Sequence, residues 1–172
     1  MKIDVAKTAQ ENLIALIVAA NPGKELAANQ FTAAAPVVIP DDAGRNTTIT
    51  LSAVVGQGYG AGDATFKYTR LSLAGVNVTP VTSVRVVDGD DEAATLTKVL
   101  AATGILASEV DASDYNAPTD DSVPGMITLT PKAGSTLYVG DEVVIELTWA
   151  PEVEPTLGET FTVTDLDGFE PA

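Results

Sequence analysis

The sequence predicts an α+β protein: an antiparallel β-sandwich-like body with an N-terminal helix and a second short helix. Three observations predict this class. An apolar segment with helical spacing follows a cap near the start, alternating strand patterns begin at Phe31, and a second helical segment interrupts them after residue 90. Aromatic residues form only 5% of the 172 residues, which is typical of thin β-layers built from small side chains.

The first helix is predicted from a capping box. Thr8 can accept a hydrogen bond from the backbone of Glu11, whose carboxylate can reach back to Thr8. The apolar side chains that follow at helical spacing are Leu13, Ile14, Ile17 and Ala20. The Asn-Pro-Gly sequence at residues 21–23 ends the helix. Residues 1–30 are therefore expected to form a helix and a connection that pack on a sheet or on a neighbouring subunit.

Residues 31–150 are predicted to form a β-rich domain with an inserted helix near residues 91–103. Alternation is clearest in residues 47–55, and Phe66 and Tyr68 share one face of the next strand. The remaining strand candidates within this domain are residues 36–39, 76–87 with a break at Pro80, 126–131 and 142–149.

Two other segments complete the predicted organisation. Residues 105–125 are rich in Asp, Ser and Pro and are expected to form an irregular connection. Residues 151–172 are predicted to be an acidic C-terminal extension with a short strand at residues 159–164.

A weak internal echo relates residues 19–31 to residues 101–110. Both segments place an Ala-rich helix end and a glycine stop before a Leu-Ala segment that leads to an apolar residue. Convergent helix-stop chemistry in an Ala-rich chain is the favoured explanation, because glycine stops are common. The alternative is a duplicated unit of a helix and a hairpin.

Charge is distributed unevenly along the chain. Residues 1–87 hold six acids and seven bases, whereas residues 88–172 hold eighteen acids and only Lys98 and Lys132 as bases. The net charge of −15 repels nucleic acid and anionic lipid surfaces, so no nucleic-acid or membrane partner is expected. The longest apolar run, residues 13–20, is far shorter than the ~20 residues that span a bilayer. Asp4 and Glu11 also argue against a secretory leader.

The composition removes much catalytic chemistry. The chain has no histidine and no cysteine, so it has no imidazole base, no thiolate and no nitrogen ligand for a transition metal. No Ser-x-x-Lys pattern is present, and no pair of carboxylates is brought together by its spacing. The sequence therefore predicts a protein that is not an enzyme, with no catalytic, cofactor-binding or metal-binding residues and no cofactor.

Three motifs suggest chemistry but have simpler explanations. The glycines of residues 56–62 precede a strand and not a helix, which favours an exposed loop over a phosphate site. Asp88-x-Asp-Asp-Glu and Asp165-x-Asp-Gly resemble calcium ligands, but the first fails the calcium-loop pattern, and Asp90, Asp91 and Glu92 suit the N-cap and first turn of a helix. The acceptor patterns at Asn46 and Asn77 arise often by chance in Thr-rich chains.

Several segments spread along most of the chain carry a resemblance to a known family. They are residues 11–17 with the Asn-Pro-Gly stop, 45–51, the Gly-Tyr-Gly loop, 68–74 and 161–169. In these segments the chain resembles a family of structural proteins in the particles of large contractile-tailed bacteriophages, by general texture and without a catalytic motif.

That resemblance implies a non-enzymatic virion subunit made in the host cytoplasm, with other virion proteins and copies of itself as partners. A head decoration or cement-type subunit is the leading expectation, and a tail, collar or baseplate subunit is the alternative. Two further classes stay open: a host-surface binding module that uses residues 56–63 and 105–125, and a secreted adhesin-like domain stabilised by Ca²⁺.

Overall fold

The computed structural model describes residues 2–76, 83–87, 89–120 and 122–150. Two twelve-residue helices and two four-stranded sheets dominate the fold, so the α+β class with an N-terminal helix is confirmed. The helices are α1 (Ala9–Ala20), α2 (Leu73–Val76) and α3 (Glu92–Thr103). The strands are β1 (Phe31–Ala33), β2 (Val37–Asp42), β3 (Arg45–Ala53), β4 (Asp63–Tyr68), β5 (Leu71–Ser72), β6 (Ser83–Val87), β7 (Val110–Asn116), β8 (Gly125–Pro131), β9 (Tyr138–Val139) and β10 (Val143–Ala150).

Helix α1 begins at the predicted capping box. The backbone N–H of Glu11 donates to Thr8 Oγ1 at 3.2 Å, and the Thr8 N–H donates to the Glu11 carboxylate at 2.8 Å. Hydrogen bonds from Thr8 lower the pKa of the Glu11 carboxyl, because they stabilise its charged form. Leu13 and Ile17 are buried against the first sheet, so the predicted packing of this helix is confirmed.

Helix α3 explains the acidic residues that precede it. Asp91 is the N-cap and accepts a hydrogen bond from Ala94 N at 2.8 Å. Asp90 accepts one from Val87 N at 2.8 Å and forms an ion pair with Lys98. Among the described residues these acids serve the start of a helix, as the sequence predicts.

The first sheet is built around β3. Strand β4 pairs with one edge of β3 in antiparallel fashion, while β1 and β2 pair with different stretches of the other edge. Ile49 and Leu51 are buried, and the threonines between and beside them lie on the other face. The alternation read from residues 47–55 is therefore confirmed as far as Ala53, whereas Val55 lies beyond the strand and is exposed.

The second sheet has the order β6-β10-β8-β7. Strands β7, β8 and β10 are antiparallel neighbours, but β6 lies parallel to β10, and β5 lies parallel to β9. These parallel pairs depart from the purely antiparallel body predicted from the sequence. They are possible because each joins strands that lie far apart in the chain, with helix or sheet between them.

The prediction of an irregular connection over residues 105–125 is wrong in part. This stretch contains a 3₁₀ turn at Ala107–Glu109 and the seven-residue strand β7. Strand β7 lies at the edge of its sheet, where only Val110 is fully buried and most of its side chains are polar. A polar edge strand carries a weak alternation signal, and such strands are common at sheet edges.

Two predicted features lie wholly or partly outside the described residues. The strand candidate at residues 159–164, with the extension that contains it, lies outside them. Of the candidate over residues 76–87, the structure describes Val76 at the end of α2 and Ser83–Val87, which form β6.

The chain contains a structural repeat. We call residues 9–68 the first module and residues 92–150 the second module. Each begins with a twelve-residue helix and a three-residue 3₁₀ turn, and continues as a strand, its antiparallel neighbour and a third antiparallel strand. The corresponding strands are β1, β3 and β4 in the first module and β7, β8 and β10 in the second, with β2 as an addition to the first.

The register of the two modules agrees residue for residue. Phe31 pairs with the last residue of β3, and Val110 pairs with the last residue of β8. Leu51 pairs with Ala33 and Ala64, and its counterpart Leu129 pairs with Ala112 and Val143. The matched strands contain Ile-Thr-Leu-Ser at residues 49–52 and Ile-Thr-Leu-Thr at residues 127–130.

Equivalent backbone hydrogen bonds extend the match into the loops. Val54 N donates to Gln30 O, and Lys132 N donates to Glu109 O, both at 2.9 Å. Gly56 and Gly134 follow at matching positions with φ of 87° and 80°. A shared helix stop does not require these features, so the structure favours a repeated unit over the convergent explanation of the sequence echo.

The two modules differ in the size of their cores. Among the described residues, twelve buried apolar side chains form one cluster around the second sheet and α3, whereas six form the cluster between α1 and the first sheet. Three of the twelve, Leu73, Val84 and Val86, come from outside the second module. In the described part of the chain, no helix is long and apolar enough to cross a membrane.

Candidate functional site

An open apolar cleft lies between the end of α1 and the first sheet. Its volume is about 570 Å³, and every residue that lines it belongs to the first module. Phe31, Leu51 and Phe66 line it from the sheet, while Ile17 and Leu26 line it from α1 and the connection after it. We call this space the apolar cleft.

The glycine-rich loop of residues 54–62 forms one wall of the apolar cleft. Tyr59 stands on this loop with 45% of its surface exposed, and its hydroxyl donates to Glu25 O at 2.8 Å. Charged side chains lie among the lining residues at Lys24, Glu25 and Asp63, all of them exposed. The loop is therefore part of a surface cleft, and the sequence interpretation of an exposed loop is confirmed.

The corresponding space in the second module is filled. Counting from the matched third strands, Tyr59 corresponds to Tyr138, and both lie five residues before the residue that pairs with the matched leucine. The Tyr138 hydroxyl also meets the connection after its helix, where it accepts a hydrogen bond from Leu106 N at 3.1 Å. Unlike Tyr59, Tyr138 is fully buried.

The segment that follows the first module fills this space. We call residues 69–76, which contain β5 and α2, the bridging segment. Leu71 and Ser72 pair with Tyr138 and Val139, and Leu71 N donates to Leu137 O at 2.9 Å. The next residue, Leu73, is 1% exposed within the core of the second module.

Arg70 fixes the bridging segment to both modules. Its Nε donates to Thr47 Oγ1 at 2.9 Å, and one terminal nitrogen donates to Ser135 O at 2.8 Å. We call the set of hydrogen bonds between the two modules around Arg70 the joint. The side-chain amide of Asn46 belongs to it, because it accepts a hydrogen bond from Arg70 N and donates one to Arg70 O. Two nitrogens of the buried guanidinium therefore donate to groups on two different modules.

Glu109 holds the other side of this joint. One carboxylate oxygen accepts hydrogen bonds from Ser135 Oγ at 2.7 Å, Thr136 N at 2.6 Å and Leu137 N at 3.1 Å. These three donors on one loop replace the hydrogen bonds to water that the Glu109 carboxylate loses because it is buried. The loop of residues 132–142 is thereby fixed in the shape that receives the bridging segment.

Tyr68 adds a further bond between the modules. Its hydroxyl donates to Thr136 O at 2.9 Å. Burial raises the pKa of Tyr68 to about 12, with the Arg70 charge acting in the opposite direction. The phenol is therefore neutral at ordinary pH and can serve as a donor across the joint.

Of the other residues singled out by the sequence, Asn46 has a structural role. The Asn46 amide is engaged in the joint, so the acceptor pattern at this residue has a structural explanation, while Asn77 and Asp88 lie outside the described residues. Within the described ranges no three acidic side chains gather in a way that could hold a metal ion. Asp165 and Asp167 are outside those ranges.

Sequence reasoning missed the apolar cleft and the joint between the modules. A signal for the repeat is present in the two Ile-Thr-Leu segments, each followed at a similar distance by a tyrosine and an acidic strand start. Arg70 and Glu109 carry no local pattern, because their partners lie 23 to 68 and 26 to 28 residues away in the chain.

The chain was compared with protein families, curated proteins and solved structures. No curated protein and no solved structure matches it. One family model matches residues 2–171 and therefore nearly the whole chain. The chain belongs to this family, which is described as a family of unknown function, DUF7941.

Proposed function

We propose that this protein is a non-enzymatic structural subunit of a tailed-phage particle, most specifically a head decoration or cement-type subunit. The observation that carries the proposal is that the buried polar groups connect the two modules to each other. Arg70, Glu109 and Ser135 all bind groups of the joint between the modules, and none of them lines the apolar cleft. Such a joint suits a structural subunit. The resemblance noted from the sequence is the reason for assigning this subunit to a tailed-phage particle.

The distribution of charge supports an orientation for such a subunit. The first module holds five acids and three bases, the second holds nine acids and two bases, and residues 151–172 hold six acids and no base. The nearly neutral first module would attach to the shell, and the carboxylates of the acidic remainder would face solvent. Repetition of this acidic face would keep particles soluble and separate.

The location of the protein in the particle tests the proposal directly. Mass spectrometry of purified particles, together with electron microscopy of particles labelled on this protein, should find it on the head surface. Labelling of the tail, collar or baseplate would replace the head assignment with the alternative structural one. Absence from particles, together with attachment of the isolated chain to purified host envelopes, would favour a host-surface binding module and overturn the proposal.

The orientation can be tested separately. The triple variant Glu152→Gln, Glu154→Gln and Glu159→Gln removes three negative charges from the segment proposed to face solvent. Incorporation into particles should stay unchanged, because a solvent-facing carboxylate makes no contact with the shell. Loss of incorporation would show that this segment attaches to the particle, and would reverse the orientation.

A further inference from the structure

The joint between the two modules shows how this fold accepts a chain segment. The bridging segment leaves the third strand of the first module and enters the second module beside β9. A Cβ placed on Gly140 would lie 3.7 Å from the Cβ of Ser72, so the segment lies directly against the wall of the second loop. Leu73 then joins the buried cluster that contains Ile105, Val110, Leu129 and Tyr138.

The apolar cleft is the equivalent acceptor in the first module. Four of its lining residues, Leu26, Phe31, Leu51 and Tyr59, correspond to Ile105, Val110, Leu129 and Tyr138, which belong to the same buried cluster as Leu73. No described residue outside the range 17–66 lines this cleft. The first module therefore carries the receptor for a bridging segment without a described segment bound in it.

Among the described residues, the hydrogen bonds between the modules run in one direction. The end of β4 and the bridging segment, through Tyr68, Arg70 and Leu71, bind the loop of the second module. In the described part of the chain, no hydrogen bond connects the loop of residues 54–62 with the end of β10. A contact that is not returned is heterologous, and repetition of it between molecules produces rings or filaments.

We propose that the apolar cleft binds the C-terminal segment of a second copy of this chain. The 22 residues that follow β10 occupy the sequence position that the bridging segment occupies after β4. Leu147 in β10 corresponds to Tyr68 in β4. Leu73 lies five residues after Tyr68, and Val153, the first apolar residue of the 22, lies six residues after Leu147, so the two apolar residues have nearly the same spacing from their strands. The joint inside each chain is thereby repeated between chains, head to tail.

A second copy fits the geometry better than the same chain does. A tail that returned to its own cleft would make the contact between the modules reciprocal, with the end of β10 near the loop of residues 54–62. The one-directional hydrogen bonds of the described joint do not have this symmetry. This inference rests on the repeat and the cleft, and it stands independently of the assignment to a phage particle.

Cross-linking can test the proposal because the chain has no cysteine. One full-length variant carries Ala61→Cys in the wall of the apolar cleft, and a second carries Val153→Cys in the tail. Under mild oxidation, a mixture of the two should give a disulfide-linked heterodimer, and the double variant should give a ladder of linked chains. Thr65→Cys, on the opposite face of β4, replaces Ala61→Cys in the matched control and should give no heterodimer with the tail variant.

Two results of this experiment would overturn the proposal. The first is a mixture that forms no heterodimer above the level of the Thr65→Cys control. The second is a double variant that closes a disulfide within one chain and runs as a monomer, which would show that the tail occupies its own cleft.

Filling the cleft provides an independent measurement. In Ala64→Trp a large side chain occupies the cleft from an exposed position on β4, whereas in Thr65→Trp the same side chain points to the other face. Sedimentation should show that the mass of the wild-type chain and of Thr65→Trp rises with concentration while Ala64→Trp stays monomeric. A wild-type chain that stays monomeric up to its solubility limit, or an Ala64→Trp chain that associates like the wild type, would contradict the proposal. This measurement uses the purified chain, so its failure is distinct from absence of the protein from particles.

Discussion

The two modules share one backbone plan, but the space beside the helix is closed in the second module and open in the first. In the second module the loop is one residue longer, counted from the matched leucine to its partner on the third strand, and a fully buried tyrosine and the bridging segment close the space beside the helix. In the first module the same space stays open, and the corresponding Tyr59 is 45% exposed. The comparison indicates that a core of this plan is completed by a segment from outside the module.

Substitution of the two equivalent tyrosines should give the largest difference between the modules in the free energy of unfolding that is lost. Tyr138→Ala removes a fully buried aromatic side chain and should lower the free energy of unfolding by ~3–5 kcal/mol. Tyr59→Ala should lower it by less than about 1 kcal/mol, because a half-exposed side chain loses little burial. Urea denaturation of both variants, in solutions dilute enough to limit association, measures the difference. Equal losses would mean that the two clefts are equally closed.

Substitution of Gln30 and Glu109, the last residues of the two 3₁₀ turns, should give the next largest difference in lost stability. Glu109→Ala leaves Ser135 Oγ and two backbone N–H groups without their acceptor, so we expect a loss of about 2–3 kcal/mol. Gln30→Ala in the first module removes an acceptor only for Ala27 N and should cost less than about 1 kcal/mol.

Urea denaturation of the Glu109→Ala and Gln30→Ala variants measures this second difference, with Glu109→Gln as a control that keeps the shape of the side chain. An intermediate loss in the control would assign part of the effect to the negative charge. A Glu109→Ala chain as stable as Gln30→Ala would contradict the role given to Glu109 in shaping the loop.

The glycines at the start of the two loops should instead behave alike. Gly56 and Gly134 both have positive φ, and a Cβ at either position would meet no atom within 4 Å. Alanine therefore introduces only backbone strain, and each single variant should lose about 1 kcal/mol. Thermal unfolding of Gly56→Ala and Gly134→Ala should give similar shifts. A large difference between the two shifts would show that the loops do not share one backbone plan.

Local chemistry explains which parts of this fold could be predicted from the sequence. The start of α1 at Thr8, the start of α3 at Asp91 and the alternation in β3 are encoded by residues that are close together in the chain. Strand β7 was missed because its sequence is mostly polar and only one of its faces contacts the core. The parallel pairings were missed because they join strands more than sixty residues apart, which no local pattern specifies.

The candidate site was harder to predict than the fold. The glycine-rich loop was correctly interpreted as exposed, but its position beside a cleft depends on Phe31 and Leu26, which lie far from it in the chain. The sequence echo between residues 19–31 and 101–110 pointed toward the repeat. The stronger evidence lay in the matching Ile-Thr-Leu segments and in the equal spacing of Tyr59 and Tyr138 before their strands.

The starts of α1 and α3 provide the smallest expected effect, and it depends on pH. The pKa of Asp90 is lowered from its ordinary value of 3.8, first by the hydrogen bond from Lys98, and that of Glu11 is lowered from 4.5 by Thr8. A carboxyl whose pKa is lower in the folded state stabilises the protein above its unfolded pKa, and this contribution is lost as the pH falls through the folded pKa. Asp90→Asn should therefore lower stability at neutral pH and reduce the dependence of unfolding on pH below about 3.8.

Glu11→Gln should act in the same direction below about 4.5, and less strongly, because Glu11 is exposed whereas only 12% of the Asp90 side chain is. Urea denaturation between pH 2.5 and pH 7, in about pH 0.5 steps that resolve both titrations, measures each contribution. An Asp90→Asn chain with the same dependence on pH as the wild type would show that the ion pair with Lys98 does not stabilise the fold. If Glu11→Gln had the larger effect, the start of the open first module would be more sensitive to acid than the start of the closed second module.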